Sequence, residues 1–259
     1  MLAPTRFLQY TLNTMNKHIQ EKLLQINRTF YDQFASSFSA TRGRVQPGVR
    51  KLIGNISAES SILDVGCGNG SLARALAEGG FSGRYLGVDM SEGLLASAES
   101  LLDEGTQGSF NFKAVDLSDP DWPEAIPHAA FDWLVSFAVL HHLPGESLRQ
   151  RIVSAFEDMV NPNSRVAVSV WQWQNSPRLR KRVLPWSTVG LSSDQVERGD
   201  VLLDWRAGDT PGLRYVHTFE EADLAALAES AGFRVIQTFY SDGKSGDLAL
   251  YQVWQLYQA

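Results

Sequence analysis

The chain has 259 residues, a formal net charge of −6 and a hydrophobic fraction of 44%. This length suits one large domain with a full core, and the acidic balance argues against a protein coated in positive charge for nucleic acid. We find no run of about 18 apolar residues and no charged-then-apolar leader, so we predict no membrane span. The single cysteine, Cys67, excludes an internal disulfide and favours a reducing, cytoplasmic location.

The N-terminal part of the sequence predicts two helices ahead of the main domain. Residues 17–36 repeat apolar side chains at helical intervals, which gives one apolar face. Residues 46–56 are typical of a second helix, with Pro47 near its start. We therefore divide the chain into a helical arm and lid at 1–56 and a main domain at 57–259.

From residue 61 onwards the sequence alternates strands and helices. The predicted strands lie at 61–65, 84–88, 110–115, 131–137 and 164–171, and the predicted helices at 71–78, 91–103 and 146–160. This alternation predicts a parallel α/β sheet with helices on both faces.

Residues 172–216 break this rhythm with basic, Trp-containing and Pro-containing segments. So long a departure predicts an insertion or lid, and we expect one short helix within it at 192–198. Regular structure returns afterwards with a helix at 219–231 and strands at 233–239 and 248–254.

The positive charge is concentrated in two segments. Residues 1–50 carry seven Lys and Arg against two acids, and residues 161–182 carry five against none. Such runs occur on solvated surfaces and on faces that contact phosphates, and the charge pattern alone leaves both interpretations open.

Three glycines, Gly66, Gly68 and Gly70, lie where the first predicted strand turns into the next helix. Glycines let a ligand approach the main chain, and the start of the following helix offers free N–H groups. Asp64 stands two residues ahead of the first glycine. The loop alone is a weak signal, because a dinucleotide site or a plain turn has a similar pattern.

Two further acids strengthen the interpretation. Asp89 closes the second strand in YLGVDMS, and Asp116 follows the third strand. A carboxylate at the end of the second strand accepts both hydroxyls of a ribose, and one after the third strand accepts from an adenine amino group. The loop and the acids, in order at successive strand ends, favour a nucleoside ligand over a turn that only caps helices.

Over residues 60–170 this arrangement resembles the class I S-adenosylmethionine-dependent methyltransferases. The resemblance implies a Rossmann-like seven-stranded sheet, mostly parallel with an antiparallel last strand, and S-adenosylmethionine as the cofactor. It implies that Asp64 faces the methionine end, Asp89 the ribose, and Asp116 with Leu117 the adenine. The predicted cofactor-binding residues are Asp64, Gly66, Cys67, Gly68, Gly70, Asp89, Met90, Asp116, Leu117, Phe137 and Leu140.

The fourth strand continues as FDWLVSFAVLHHLPG, residues 131–145. Phe137 and Leu140 are expected to wall the cofactor, while His141 and His142 leave the strand beside the reactive methyl group. We take His141, the first to leave, as a catalytic candidate and His142 as a substrate-binding one. A structural role for either histidine stays open.

Four further segments resemble the eukaryotic methyltransferases that esterify the carboxymethyl group on the wobble uridine of tRNA. They are FYDQFASSFSATRGRVQPGV (30–49), GDVLLDWR (199–206), RYVHTFEEADLAALAESAGF (214–233) and TFYSDG (238–243). The chain departs from that family at Gln46, at Asp204 and at residues 245–246. The first and last of these changes remove aromatic rings that can stack on a base.

This second resemblance implies tRNA as the substrate and a small zinc-binding activator subunit as a partner. Arg42, on the lid, is the second catalytic candidate: it would grip a carboxylate oxygen or a flanking phosphate, and an ion pair with an acid such as Asp32 that anchors the lid is the alternative. We expect Arg44 and a second basic cluster to contact anticodon-loop phosphates, with a solvated loop as the alternative. The members of that cluster that we select are Arg178, Arg180 and Arg182.

The sequence thus predicts a cytoplasmic methyltransferase that makes an ester on the wobble uridine of tRNA, with no metal site. A methyltransferase for a small carboxylate or another metabolite is the first alternative. A non-catalytic cofactor-binding accessory protein is the second, and the intact acids and glycines argue against it.

Overall fold

The computed structural model describes the backbone of residues 15–41, 45–102, 106–127, 129–207 and 210–257. Side chains are described over the same ranges except at 35–41, 206–207 and 210–211. In chain order the helices are α1 (Lys17–Thr41), α2 (Pro47–Ile53), α3 (Ser71–Glu78), α4 (Glu92–Ser100), α5 (Glu146–Ala155), α6 (Pro177–Arg180) and α7 (Glu221–Ser230). None of the helices within these ranges is long and apolar enough to cross a membrane.

Ten strands form two sheets in the described part of the chain. They are β1 (Ser61–Val65), β2 (Arg84–Asp89), β3 (Ser109–Ala114), β4 (Phe131–Phe137), β5 (Val160–Trp171), β6 (Val183–Leu184), β7 (Asp200–Ala207), β8 (Thr210–His217), β9 (Phe233–Ser241) and β10 (Ala249–Leu256).

The large sheet has seven strands in the order β3-β2-β1-β4-β5-β10-β9. β10 runs antiparallel to both β5 and β9, whereas β1, β2, β3, β4 and β5 pair in parallel. The predicted fold class is therefore confirmed. The strand order reverses between β1 and β4, and ligands of such sheets bind in the crevice at the carboxyl ends of the strands at this point.

The core lies on both faces of this sheet because neighbouring residues of a buried strand point to opposite sides. All five residues of β1 are buried. Leu63 packs with α5 and α7 on one face, and Ile62 packs with α2 and α3 on the other. Burial on both faces explains why Ile62, Leu63 and Val65 of β1 are all apolar, and it fixes the glycine loop at the carboxyl edge.

The predicted helix at 146–160 is too long. α5 ends at Ala155, a short 3₁₀ turn follows, and Val160 already belongs to β5. Ser91 caps α4, because its hydroxyl oxygen accepts from the Leu94 N–H at 3.4 Å.

The insertion differs from the expectation. The prediction of a helix at 192–198 is wrong, since these residues form turns and bends. Glu197 instead bonds to α5: its carboxylate accepts from the Glu146 N–H at 2.6 Å and pairs with Arg149 at 2.7 Å. These tertiary contacts outweigh the local helix propensity.

The strands of the insertion form a second sheet in the order β6-β7-β8. Pro211 and Gly212 disfavour a strand in the sequence, and both nevertheless lie in β8. A Cβ atom at Gly212 would lie 2.6 Å from Phe34 and 3.1 Å from Phe30. The glycine is therefore needed because the aromatic face of α1 packs directly onto this strand.

The Asn27 side chain joins α1 to the insertion through hydrogen bonds. Its side-chain amide donates to the Tyr215 carbonyl at 3.2 Å and to the His142 carbonyl at 3.0 Å, and its oxygen accepts from the Tyr215 N–H at 2.9 Å. The helical arm and the second sheet consequently form one cover over the carboxyl edge of the large sheet. The division at residue 56 stays a prediction.

Candidate active site

A cavity of about 430 Å³ lies at the carboxyl edge of the large sheet, beneath α1 and α2. This volume is in the range of small-molecule sites. Nine of the predicted cofactor-binding residues border it, namely Asp64, Gly66, Cys67, Gly68, Asp89, Met90, Asp116, Leu117 and Phe137. The residues selected at the strand ends therefore lie together around one cavity, and their contact with the cofactor stays a prediction.

Leu140 and Gly70 do not border the cavity. Leu140 is fully buried in the core, because the 3₁₀ turn at residues 140–142 directs it away from the site. Gly70 begins α3 with a φ of 70°, and a Cβ atom there would lie 2.6 Å from that of Ala98. Both residues are held by packing contacts outside the cavity lining.

The glycine loop leaves space for a ligand at one position. Gly66 has a φ of 82°, and a Cβ atom there would lie 2.3 Å from Val139, so this glycine is required by packing. A Cβ atom at Gly68 would meet no described atom within 4 Å. Because Gly68 borders the cavity, its open side is where a ligand can approach the main chain.

Asp89 is held in a fixed orientation. One carboxylate oxygen accepts from the Gly68 N–H at 2.9 Å and the other from the Ser91 N–H at 3.0 Å. Burial raises its pKa, and the backbone donors oppose that rise. A half-buried acceptor fixed beside the open glycine suits the hydroxyls of a ribose.

Asp64 lies deeper and is fully buried. The Tyr85 hydroxyl donates to it at 2.6 Å. Burial raises the pKa of Asp64 to about 7, Tyr85 opposes the rise, and the charge of Asp89 adds to it. The acid is therefore poised to ionise when a cationic ligand group approaches.

Asp116 is bonded to α1. One oxygen accepts from Arg28 at 2.7 Å, and the other accepts from the N–H and the hydroxyl of Ser118. Arg28 also pairs with Glu21 at 2.8 Å. Sequence reasoning missed Arg28 because its partner lies 88 residues away and no local pattern connects the two.

The two histidines have different surroundings. His142 bridges the Tyr31 hydroxyl at 2.9 Å and the Tyr215 carbonyl at 3.1 Å, which favours the structural interpretation of this residue. His141 is 1% exposed and borders the cavity. Its Nδ1 accepts from the Trp171 N–H at 3.2 Å, so in the neutral ring the proton resides on Nε2.

Of the arginines predicted to contact RNA, only some lie near the cavity in the described part of the chain. Arg178 borders the cavity, Arg180 is exposed and donates to the Gln174 carbonyl, and Arg182 lies 4.0 Å from Asp204. The predicted Arg42 and Arg44 lie outside the described residues.

A buried arginine that the sequence analysis did not select borders the same cavity. Arg214 is 3% exposed. Its guanidinium carbon lies 4.7 Å from the Trp171 ring centroid, 4.8 Å from that of Phe30 and 5.1 Å from that of Trp205. The only signal in the sequence was its position at the start of the matched segment 214–233.

Within the described ranges, Glu197, Asp200 and His217 come within 4.8 Å of one another and could hold a metal. Their oxygens are used by protein groups: His217 bonds Asp200 at 2.7 Å, the Tyr215 hydroxyl donates to Asp200 at 2.7 Å, and Arg149 pairs with Glu197 at 2.7 Å. The cluster is a hydrogen-bond network that joins the insertion to α5.

A family model described as methyltransferase domain matches residues 38–238. A putative methyltransferase of Encephalitozoon cuniculi is 29% identical over 209 residues, which cover 80% of this chain and 86% of that protein. The tRNA (carboxymethyluridine(34)-5-O)-methyltransferase of Schizosaccharomyces pombe is 25% identical over 225 residues, which cover 81% and 89% respectively. The solved complex between the Haloferax volcanii Trm112 methyltransferase activator and the putative methyltransferase contains a similar chain (TM-score 0.61, 14% identity, 90% of this chain and 98% of that one).

The sheet order, the open glycine and the acids at the strand ends define a class I methyltransferase. Because the family model covers more than half of the sequence, the chain belongs to the methyltransferase domain family, and the predicted enzyme class is confirmed. Its cofactor is S-adenosylmethionine, as predicted. The residues that line the cavity fit S-adenosylmethionine, since Gly68 and Asp89 suit its adenosine and the buried Asp64 suits its cationic methionine end.

We expect cofactor affinity to depend on pH through Asp64. Its pKa of about 7 means that the acid is largely protonated below pH 7 in the free protein. A cationic ligand favours the ionised form, so binding releases a proton, and affinity should fall by up to about tenfold per pH unit below 7. Calorimetry at pH 6, 7 and 8, in buffers of different ionisation enthalpy, measures both the affinity and the released proton.

Tyr85→Phe provides the matched control for this prediction. It removes the hydroxyl that opposes the rise in the Asp64 pKa, so the loss of affinity should begin at a higher pH. An affinity that stays constant from pH 6 to 8 in both proteins would contradict the role of Asp64.

Arg28→Ala should loosen the cover over the adenine side. The ion pair with Asp116 is partly exposed, so its loss corresponds to at most about 1 kcal/mol, or about fivefold in a rate constant. We expect the rate constants of cofactor association and dissociation to rise together, as measured by stopped-flow fluorescence. Glu21→Ala, which removes only the more exposed partner of Arg28, should leave both rate constants nearly unchanged. Equal rate constants in all three proteins would contradict a role of the Arg28–Asp116 ion pair in holding the cover closed.

Proposed function

We propose that the chain methylates a carboxylate, and that this carboxylate is the carboxymethyl group of a modified wobble uridine in tRNA. The observation that supports a carboxylate as the methyl acceptor is a part of the cavity that is rich in hydrogen-bond donors. It is formed by His141, Trp171, Trp205 and Arg214 and is here called the acceptor end. In the neutral ring His141 carries its proton on Nε2, because Nδ1 accepts from Trp171. It is therefore a hydrogen-bond donor rather than a base, which suits an acceptor that is already ionised.

The carboxylate does not require deprotonation at neutral pH. When bound, S-adenosylmethionine supplies an electrophilic methyl group that an ionised oxygen can attack. The residues of the chain then need only to position the carboxylate and exclude water. The His141 Nε2–H orients the carboxylate or the uracil edge, and the cover formed by α1 and the insertion removes solvent.

The tRNA acceptor is supported by the Schizosaccharomyces pombe relative, which aligns over 81% of this chain. The proposed contacts to RNA are Arg44, Arg178, Arg180, Arg182 and His142, together with Arg42 on the lid. Exposure of Arg178 and Arg180 fits a role in phosphate contact, whereas the two ring bonds of His142 favour a supporting role for that residue.

A small zinc-binding activator subunit is part of this proposal. Its support is the family resemblance together with the likeness in fold to a chain of the Haloferax volcanii activator complex. The proposal also includes a cytoplasmic location. Its support is the single cysteine, which fits a reducing compartment.

The test is methyl transfer from tritium-labelled cofactor to tRNA that carries carboxymethyl-uridine, followed by mild alkali. We expect label on the RNA that leaves as methanol, which identifies an ester. tRNA with unmodified wobble uridine is the control. Label that resists alkali, or none on the RNA while calorimetry shows cofactor binding, would overturn the tRNA ester.

A small carboxylate is the second candidate acceptor. Gln46 borders the cavity where the related family has an aromatic ring, and the net charge is −6. Both features reduce the expected affinity for RNA. Transfer to a panel of small carboxylic acids, in the absence of transfer to tRNA, would favour this acceptor.

A further inference from the structure

The cage around Arg214 is built from three separate elements. Phe30 comes from α1, Trp171 from the end of β5 and Trp205 from β7, and all three rings lie within 5.1 Å of the guanidinium carbon. Arg214 itself lies on β8 opposite Leu203, and Trp205 lies opposite Gly212. Arg214 and Trp205 are therefore diagonal neighbours on one face of the hairpin, which faces α1.

Aromatic faces attract a guanidinium cation through their π electrons. Guanidinium is also more weakly hydrated than an ammonium group and is always charged, so it suits a buried site for an anion. The cage thus holds a permanent positive charge at the wall of the cavity, 3% exposed, with planar donors that match the two oxygens of a carboxylate.

Trp205 provides an independent sign of a ligand. Its indole Nε1 is buried and has no hydrogen-bond partner among the described residues. An indole N–H can only donate, and burying such a donor without an acceptor is costly. Since Trp205 borders the same cavity, an oxygen acceptor bound there would satisfy it.

We propose that Arg214 and the Trp205 Nε1–H bind the carboxylate that receives the methyl group, and that they set the specificity of the enzyme for a carboxylate. This inference rests on the proposed function and adds to it the residues that recognise the acceptor. The grip on the acceptor carboxylate then belongs to Arg214, which leaves the flanking phosphate or the ion pair with Asp32 as the contact of Arg42.

A cage with a purely structural role would make a different prediction. Arg214 would then only hold α1 against the hairpin, and its substitution would weaken the binding of every RNA to the same extent. The decisive quantity is therefore the ratio of affinities for two RNAs that differ only in the carboxylate.

The experiment compares anticodon stem-loops that carry carboxymethyl-uridine or carbamoylmethyl-uridine, in which an uncharged amide replaces the carboxylate. We expect the wild-type protein, saturated with S-adenosylhomocysteine, to prefer the carboxylate by about tenfold or more in fluorescence anisotropy. Arg214→Lys keeps the charge but loses the planar pair of N–H donors, and it should bring the ratio of the two affinities close to one.

Trp205→Phe keeps the ring and removes only the N–H group, so it tests the proposal even if Arg214→Lys fails to fold. It should lower the ratio severalfold and raise KM for the carboxymethyl stem-loop more than it lowers kcat. Arg84→Lys, an exposed substitution at the start of β2, is the control and should behave as wild type.

The outcomes are distinct. If the wild type methylates the carboxymethyl stem-loop and both variants keep its full preference for the carboxylate, the role of Arg214 and Trp205 is overturned while the proposed function stands. If the wild type neither methylates that stem-loop nor prefers it, the proposed function fails, and this inference fails with it. A lower ratio in both variants, at unchanged cofactor affinity, supports the proposal.

Discussion

Asp89→Ala should abolish measurable cofactor binding. The substitution removes the acceptor for the ribose hydroxyls and also the partner of the Gly68 and Ser91 N–H groups. Two charge-assisted hydrogen bonds contribute about 1.5–3 kcal/mol each, which corresponds to a loss of at least about 100-fold in affinity. Isothermal calorimetry with S-adenosylmethionine measures this loss directly.

Two variants separate binding from folding in this experiment. Asp89→Asn retains one acceptor oxygen in the same space and should lose affinity to an intermediate degree. Asp158→Ala removes an exposed acid far along the chain and controls for net charge. Because Asp89 is also bonded to the loop, circular dichroism should show that each variant is folded, and wild-type affinity in a folded Asp89→Ala protein would exclude the ribose assignment.

The large sheet was predictable because its signals are local. β1 is buried on both faces and therefore carries the apolar residues Ile62, Leu63 and Val65 on both sides, directly ahead of the glycine loop. Asp89 ends β2 and Asp116 follows β3, and these strands lie beside β1 in the order β3-β2-β1, so the strand ends alone predicted that the two acids lie at one cavity. This inference requires only that parallel strands share a carboxyl edge.

The cover over the site was not predictable in the same way. β8 contains Pro211 and Gly212, which disfavour a strand locally, and the reason for the glycine is contact with Phe30 and Phe34 in a distant helix. Arg28 is paired with an acid 88 residues away. Interactions between elements far apart in sequence leave no periodic pattern, and for this reason the sequence selected His141 at the acceptor end but not Trp171, Trp205 or Arg214.

His141→Ala should reduce the rate of methyl transfer by about 100-fold and leave cofactor affinity unchanged. The ring is buried at the cavity wall and held through Nδ1 by the Trp171 N–H, so its Nε2–H is a preoriented donor. Removing one such donor from a buried site costs on the order of 10²-fold in rate. Single-turnover transfer to the carboxymethyl stem-loop at saturating cofactor measures this step.

The pH dependence distinguishes a donor from a general base. A carboxylate acceptor is ionised well below neutral pH, and saturating cofactor holds Asp64 in its ionised form, so kcat should be flat from pH 6 to 8. If His141 acted as a base instead, kcat would fall as the imidazole became protonated, and His141→Ala would remove that fall. His141→Gln offers a side-chain N–H donor without a titratable group. It should recover part of the rate, whereas for a general base it would be as inactive as alanine.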